Sequence, residues 1–213
     1  MQIDVERYLG AVVRSVEGLE RDGRPARKVV LTRTYDTTAE DLWDAVTSGE
    51  RLPRWFLPVT GELRHGGRFQ LEGNAGGEIL RCDAPHHLAV TWEFGGAVSW
   101  VDVHVAPVPD GARLRLEHVA LVDDHWEQFG PGAAGVGWDL ALMGLGRHLE
   151  TAAANDPQAA AAWTASAEGK AFIRGSSDDW RRASVAAGTD AGAAAAAAQR
   201  TAAFYTGEGA AGG

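Results

Sequence analysis

The alternation of apolar and polar positions predicts an antiparallel sheet over the middle of the chain. RKVVLTRTY, from Arg27 to Tyr35, is rich in the β-branched and aromatic residues that strands prefer. Six further strand candidates follow between Gly61 and Leu121, separated by glycine, proline or charged turns: GELR, GRFQLEG, GEILRCD, HHLAVTWEF, SWVDVHVAPV and ARLRLEHVAL. Because the connections are short, the simplest topology is an antiparallel meander.

One face of this predicted sheet is apolar and the other is polar. On the last strand Leu114, Leu116 and His118 share one parity, whereas Arg113 and Glu117 fall on the opposite side. The two preceding strands show the same alternation, with the apolar positions Leu88, Val90, Trp92, Phe94, Val101, Val103 and Val105. We therefore expect one buried face and one solvated face.

A long helix from about residue 134 to residue 154 is predicted to cover the buried face. Trp138, Leu142, Leu145 and Leu149 recur at offsets of four, three and four, which is an apolar stripe of helical period. Glycines interrupt this stripe at positions 135, 137, 144 and 146. They either let the helix and the sheet approach closely, or leave volume for a ligand.

The remaining segments predict helices at both ends of the chain. Residues 1–26 are interpreted as an amphipathic helix, since Val5, Leu9, Val12 and Val16 lie near helical spacing. A short helix after residue 36 has a capping-box pattern, and Asp156 with Pro157 predicts a helix start in the alanine-rich region beyond Asn155. The predicted organisation is an N-terminal helix over 1–26, a central domain over 27–154, a helical extension over 155–207 and a flexible tail over 208–213.

Charge and cysteine content narrow the range of partners. The chain carries 20 Lys and Arg against 29 Asp and Glu, a formal charge of -9 that repels phosphate backbones and anionic lipids. We therefore expect neither a nucleic acid nor a membrane partner. The single Cys82, the charged N-terminal segment and the lack of a long apolar run favour a cytoplasmic protein.

His118 is the polar member of an otherwise apolar row, and two interpretations of it stay open. It is either a core histidine with its hydrogen bonds satisfied, or the hydrogen-bond partner or proton carrier for a ligand. Arg33 shares parity with Leu31 and Tyr35, and either snorkels outward or supplies a charge to a cavity. Glu117, His118, Asp123, Asp124 and His125 match no familiar zinc spacing, so neither a metal nor a cofactor is expected.

The order of these segments resembles the START-related SRPBCC superfamily, in the branch named after the activator of the 90-kDa heat-shock protein ATPase. The resemblance runs from Lys28 to Leu149 and depends on five segments: RTYDTTAEDLWDAVTSGERLPRWF, LRHGGRFQLEG, CDAPHHLAVTW, RLRLEHVAL and GVGWDLALMGLGRHLE. It implies an α+β fold of the helix-grip (START/Bet v 1-like) class, with a cavity between a curved antiparallel sheet and the long C-terminal helix. It implies no fixed catalytic residues.

Three functions are compatible with such a cavity. The leading hypothesis is binding of a hydrophobic or aromatic small molecule, and the predicted ligand-contacting residues are Trp55, Phe69, Trp92, His118, Trp138 and Leu142. The alternatives are a polyketide cyclase or dehydratase-like enzyme, in which His118 would move protons, and a stress-linked or co-chaperone-like interaction module. The terminal helices could cover the cavity or build a homodimer interface.

Overall fold

A computed structural model describes residues 3–208, in which eight strands form one sheet. The strand order is β1-β2-β8-β7-β6-β5-β4-β3, and neighbours from β3 to β8 pair antiparallel. The strands are β1 (Val13–Arg21), β2 (Arg24–Tyr35), β3 (Val59–Gly61), β4 (Arg68–Leu71), β5 (Gly76–Asp83), β6 (His87–Phe94), β7 (Ala97–Val108) and β8 (Gly111–Leu121). The helices are α1 (Val5–Gly10), α2 (Ala39–Thr47), α3 (Asp124–Phe129), α4 (Gly132–Thr151), α5 (Pro157–Ala165), α6 (Ala167–Ala186) and α7 (Ala191–Thr206).

The predicted α+β helix-grip class is confirmed. An antiparallel sheet is followed by the 20-residue helix α4, which begins two residues before the predicted start. The strand register also follows the alternation in the sequence, because Val101 of β7 lies opposite Val90 of β6 and His118 of β8. The face that carries these three residues is called the apolar face below.

The predicted N-terminal helix over 1–26 is wrong for most of its length. The helix is limited to Val5–Gly10, and Val13–Arg21 is the strand β1. The turn into β2 contains Asp22 and Gly23, both with positive φ (52° and 72°). An Asp-Gly pair between two strands is a strong hairpin signal, since both residues tolerate the left-handed conformation that a tight turn demands. The segment RDGRP is therefore a hairpin turn.

The chain divides into two compact units. The first comprises the described parts of Met1–Leu31, Leu121–Leu140 and Asp156–Gly213. The second comprises Thr32–Ala120 and Ala141–Asn155. Boundaries fall within β2, α4 and the last residues of β8, so each of these elements contributes residues to both units.

In the second unit, the C-terminal part of α4 packs against the end of β2. The carbonyl oxygen of Leu142 accepts hydrogen bonds from Arg33 Nη1 (3.0 Å) and from the Tyr35 hydroxyl (3.3 Å). Arg33 is buried and its guanidinium lies 4.7 Å from the centroid of the Tyr35 ring. The snorkelling interpretation of Arg33 is therefore wrong, because the side chain points into the protein and hydrogen-bonds to the helix backbone.

In the first unit, Asp139 of α4 is the centre of a buried polar network. Its carboxylate accepts hydrogen bonds from Arg14 of β1 (2.9 Å at Nη2), from the Ser176 hydroxyl (2.5 Å) and from the Trp180 indole (3.0 Å). Burial is the largest influence on this carboxyl and raises its pKa, while the Arg14 charge and the three sets of hydrogen bonds oppose that rise. The network joins β1, α4 and α6, which are distant in sequence.

The glycines of α4 accommodate neighbouring groups of the protein. A Cβ atom at Gly135 would lie 2.2 Å from the Trp180 ring, and one at Gly146 would lie 2.6 Å from Arg33 Nη2. At Gly144 the nearest atom would be the carbonyl oxygen of Trp55, at 2.9 Å. The contacts at these three positions favour close approach over ligand volume as the reason for glycine, and real Cβ atoms do not tolerate such distances.

The three C-terminal helices form where the composition predicts helix. Asp156 caps α5 by accepting a hydrogen bond from Gln158 N (2.9 Å), and Gly207 ends α7 with φ 71°. Apart from Glu208, the predicted tail over 208–213 lies outside the described residues. Within residues 3–208, no helix has both the length and the apolar character needed to cross a membrane.

Candidate functional site

A row of aromatic rings crosses the apolar face of the second unit near one end of its strands. Phe69 lies on β4, Trp92 on β6 and His118 on β8. Ser99 of β7 completes the row, because it lies directly opposite Trp92 in the strand pairing. We call these four residues the aromatic row. The pairing of β4 to β8 brings these residues together although 49 positions separate the first from the last.

The rings in this row are in mutual contact. The centroids of Phe69 and Trp92 are 6.3 Å apart with the planes at 46°, and those of Trp92 and His118 are 6.3 Å apart at 58°. Both spacings fall in the range in which tilted aromatic pairs attract. On β5, the position opposite Phe69 is Gly77, so no side chain stands between Phe69 and Trp92 at this level of the sheet.

His118 and Ser99 form a directed hydrogen-bond chain. The Ser99 hydroxyl donates to the carbonyl oxygen of Trp92 (3.1 Å), and its oxygen lies 2.8 Å from His118 Nε2. Since a serine hydroxyl has one proton, His118 Nε2 must be the donor to Ser99 Oγ in this arrangement. The Ser99 oxygen has a second lone pair, which can accept a hydrogen bond from another hydroxyl.

His118 is neutral at physiological pH. Its exposed fraction is 9%, and burial lowers its pKa from 6.5 to about 4. The ring therefore stays neutral over the range in which histidines usually titrate.

The apolar face is fully buried at its centre and only partly covered at the aromatic row. Val90, Val101, Leu114 and Leu116 are buried, whereas Phe69, Trp92 and Ser99 keep intermediate exposure. Partly accessible aromatic surface beside a buried polar group is typical of a small-molecule site. This end of the face is thus the candidate binding surface.

The other predicted ligand-contacting residues have different surroundings. Trp55 stacks on Phe56 (5.4 Å between centroids) and donates its indole N–H to the Ala45 carbonyl at 2.8 Å. Leu142 is buried in the second unit, and its carbonyl accepts the Arg33 hydrogen bond. Trp138 is half-buried and belongs to the first unit. Of the six predicted residues, Phe69, Trp92 and His118 are joined in one row by ring contacts.

Ser99 is the member of the row that sequence reasoning missed. Its parity with Val101 and Val103 could have marked it as facing inward, but a serine at the start of a strand is also an ordinary turn residue. Its role becomes visible only through the pairing that sets it opposite Trp92 and beside His118.

A second cluster of polar groups lies on the opposite face of the sheet. His87 of β6 pairs directly with His104 of β7, and the two rings stack with centroids 4.1 Å apart. His87 Nε2 lies 2.7 Å from Asp102 Oδ1. Burial and the neighbouring His87 lower the pKa of His104, although Glu117 and Asp102 oppose this. Among the described residues these three form a group that could hold a metal ion.

A family model matches more than half of the chain. It is described as "Activator of Hsp90 ATPase homolog 1-like protein", and the match covers residues 36–150, from the end of β2 to the last turn of α4. The matched range contains the whole aromatic row. No curated protein matches the chain.

Solved structures resemble the chain over a longer range. The crystal structure of CalU16 from Micromonospora echinospora is 29% identical, and the alignment covers 84% of this chain and 99% of that chain with a TM-score of 0.66. The solution NMR structure of CalU16 gives a TM-score of 0.68 at the same identity, covering 83% and 97%. MLL2253 from Mesorhizobium loti is 24% identical over 58% of this chain and 97% of that chain, with a TM-score of 0.53, a likeness of fold alone.

Proposed function

The chain belongs to the Activator of Hsp90 ATPase homolog 1-like family, and from that premise we propose that it binds a hydroxyl-bearing aromatic small molecule. The proposed binding surface is the aromatic row on the apolar face. The observation that carries the proposal is the incomplete burial of Phe69 and Trp92 beside the buried His118. Trp55 and Leu142, which belong to the same unit as the aromatic row, remain proposed contacts of a bound molecule.

An aromatic ligand suits this surface because of the rings that form it. The ring faces of Phe69 and Trp92 are inclined to each other rather than stacked, and a third ring can pack on their accessible sides. Such aromatic contacts contribute about 0.5–1.5 kcal/mol each beyond the burial of apolar area. A flat bicyclic or polycyclic molecule gains most from this arrangement.

The proposal includes a hydroxyl group on the ligand because of Ser99 and His118, which form the polar end of the aromatic row. Ser99 Oγ already accepts a hydrogen bond from His118 and donates one to the Trp92 carbonyl oxygen, so it can accept one further hydrogen bond. A phenol or enol hydroxyl is such a donor. The net contribution of one hydrogen bond is about 0.5–1.5 kcal/mol, which corresponds to a difference in affinity of about threefold to tenfold.

The pKa of His118 supports binding over the cyclase or dehydratase alternative. A general acid or base works best when its pKa is near the working pH. The pKa of His118 is about 4, so at neutral pH the ring is a weak base with almost no protonated form. It is better suited to hold Ser99 in one orientation than to carry protons.

The proposal is tested with 1-naphthol and naphthalene as probes, and binding is measured by isothermal titration calorimetry. We expect 1-naphthol to bind about threefold to tenfold more tightly than naphthalene, because only 1-naphthol can donate to Ser99. The Ser99→Ala variant should bind the two probes equally well, since the acceptor is then absent.

A matched pair of tryptophan variants separates the aromatic row from the rest of the sheet. Trp92→Leu should weaken the binding of both probes about fivefold or more, because an aromatic contact is lost. Trp100→Leu is the control, since Trp100 has the opposite parity on the neighbouring strand and faces Thr91 in the pairing. Equal losses in the two variants, or no binding of either probe to the unmodified protein, would refute the proposal.

A further inference from the structure

The polar face of the sheet carries a group of three side chains with the composition of a metal site. Asp102 and His104 are two residues apart on β7, so their side chains emerge on the same face. His87 of β6 is directly opposite His104. We propose that His87, Asp102 and His104 bind a divalent transition-metal ion, for which Zn²⁺ is the natural choice.

The ligand atoms are close together, but the stacked rings of His87 and His104 must turn to direct a nitrogen atom at one ion. One ligand atom from each residue lies within 4.8 Å of the others, and four-coordinate zinc with bonds of about 2.0–2.1 Å places its ligand atoms roughly 3.3 Å apart. The His87 Nε2 to Asp102 Oδ1 distance of 2.7 Å would open slightly. The strand pairing places Ala89 opposite Asp102. Because the side chain of Ala89 is small, it leaves room for the His87 ring beside the Asp102 carboxylate.

The ligand types select a particular class of cation. Two imidazoles and one carboxylate suit zinc and its neighbours, whereas calcium and magnesium prefer oxygen ligands alone. Three protein ligands leave a fourth position for water or for a ligand from another molecule. The site is therefore of the open kind, and lies on the face opposite to the aromatic row.

The charges around the group favour a cation. Glu117 of β8 is opposite Asp102, and Arg115 is opposite His104. Arg115 donates to Glu117 at 2.6 Å, so this arginine is engaged by a carboxylate. With neutral histidines the five residues carry a net charge of -1, from two carboxylates and one guanidinium. His87 and Asp102 are partly accessible, at 16% and 32% of their side-chain surface, which gives an ion a path of entry.

Zinc binding is measured by competition with a chromophoric chelator, on protein without any affinity tag. We expect one ion per chain, and the His104→Gln variant should lose affinity about tenfold or more, since even outer-shell partners of a metal are worth 10–100-fold. Asp102→Asn keeps the size of the side chain and removes its charge, so it should lose a similar factor. His65→Gln is the control, because His65 is an exposed histidine on the loop before β4 and should leave the affinity unchanged.

The melting temperatures of the three variants and of the unmodified protein are first measured without zinc. A melting temperature close to that of the unmodified protein shows that a variant is folded. With zinc, only the unmodified protein and His65→Gln should gain stability by mass action. Failure of the unmodified protein to compete with the chelator would overturn the proposal. So would equal zinc affinity in Asp102→Asn, His104→Gln and the unmodified protein.

Discussion

At the level of single residues, His118 shows how the same side chain serves the core and the candidate site. The structure confirms the interpretation of His118 as a core histidine with a hydrogen-bond partner, and its role towards a ligand stays a prediction. The ring is a buried histidine with its Nε2 bonded to Ser99, and that bond leaves the serine oxygen as an acceptor beside two accessible rings. Sequence periodicity could place His118 on the apolar face, but the bond to a serine 19 residues away required the strand pairing.

The depressed pKa of His118 has a consequence for stability. The unfolded chain takes up a proton near pH 6.5, whereas the folded protein resists it until about pH 4. The unfolded state therefore binds more protons between these values, so folding stability falls as the pH is lowered through this window. The full effect is about 3 kcal/mol, since each pKa unit corresponds to about 1.4 kcal/mol.

The measurement is urea unfolding at pH 7 and pH 4.5, for the unmodified protein and for His118→Gln. We expect the unmodified protein to lose more stability on acidification than the variant, because other titrating groups contribute equally to both. If both proteins lose the same amount, His118 titrates in the folded state as it does in the unfolded one.

At the level of elements, the alternation in β6, β7 and β8 predicted the buried side chains at the centre of the sheet, such as Val90, Val101 and Leu114. It was wrong for Phe94 at the end of β6, which is 60% exposed. It failed for β1, where valines at positions 12, 13 and 16 fit a helical and a strand pattern about equally well over a short segment. The Asp22–Gly23 turn would have decided between them. The glycines of α4 could not be interpreted from sequence, because the groups that fill the space beside them, such as Trp180 and Arg33, come from remote segments.

The buried network around Asp139 should be essential for the stability of the first unit. Asp139→Asn leaves the Arg14 charge with Asp179 as its remaining carboxylate partner, at 3.0 Å. Breaking a buried ion pair from one side costs about 3–5 kcal/mol, and we expect a loss of this size in urea unfolding monitored by circular dichroism.

Asp178→Asn is the matched control for that substitution. Asp178 pairs with Arg181, at 2.7 Å, and with Arg182 on the surface of α6, and exposed pairs contribute only about 0.2–1 kcal/mol each. Similar losses in the Asp139 and Asp178 variants would show that the buried network contributes no more than an ordinary surface pair.

At the level of the whole molecule, the sheet, the long helix and the family were predictable from segment order and alternation. The family model covers residues 36–150, a range that begins inside the predicted range of Lys28 to Leu149 and ends one residue beyond it. The two clusters on the sheet were only partly predictable. Phe69, Trp92 and His118 could be named because they are large or polar on an apolar row, whereas His87, Asp102 and His104 lie on the polar face, where such residues are ordinary.

The most direct test of the proposed function is an NMR titration with 1-naphthol that follows the indole N–H signals. We expect the Trp92 signal and the His118 ring signals to shift in parallel with binding, while the signal of Trp163, buried in α5, stays in place. Binding that shifts Trp163 or other indoles and leaves Trp92 and His118 unchanged would contradict the assignment of the aromatic row as the ligand site.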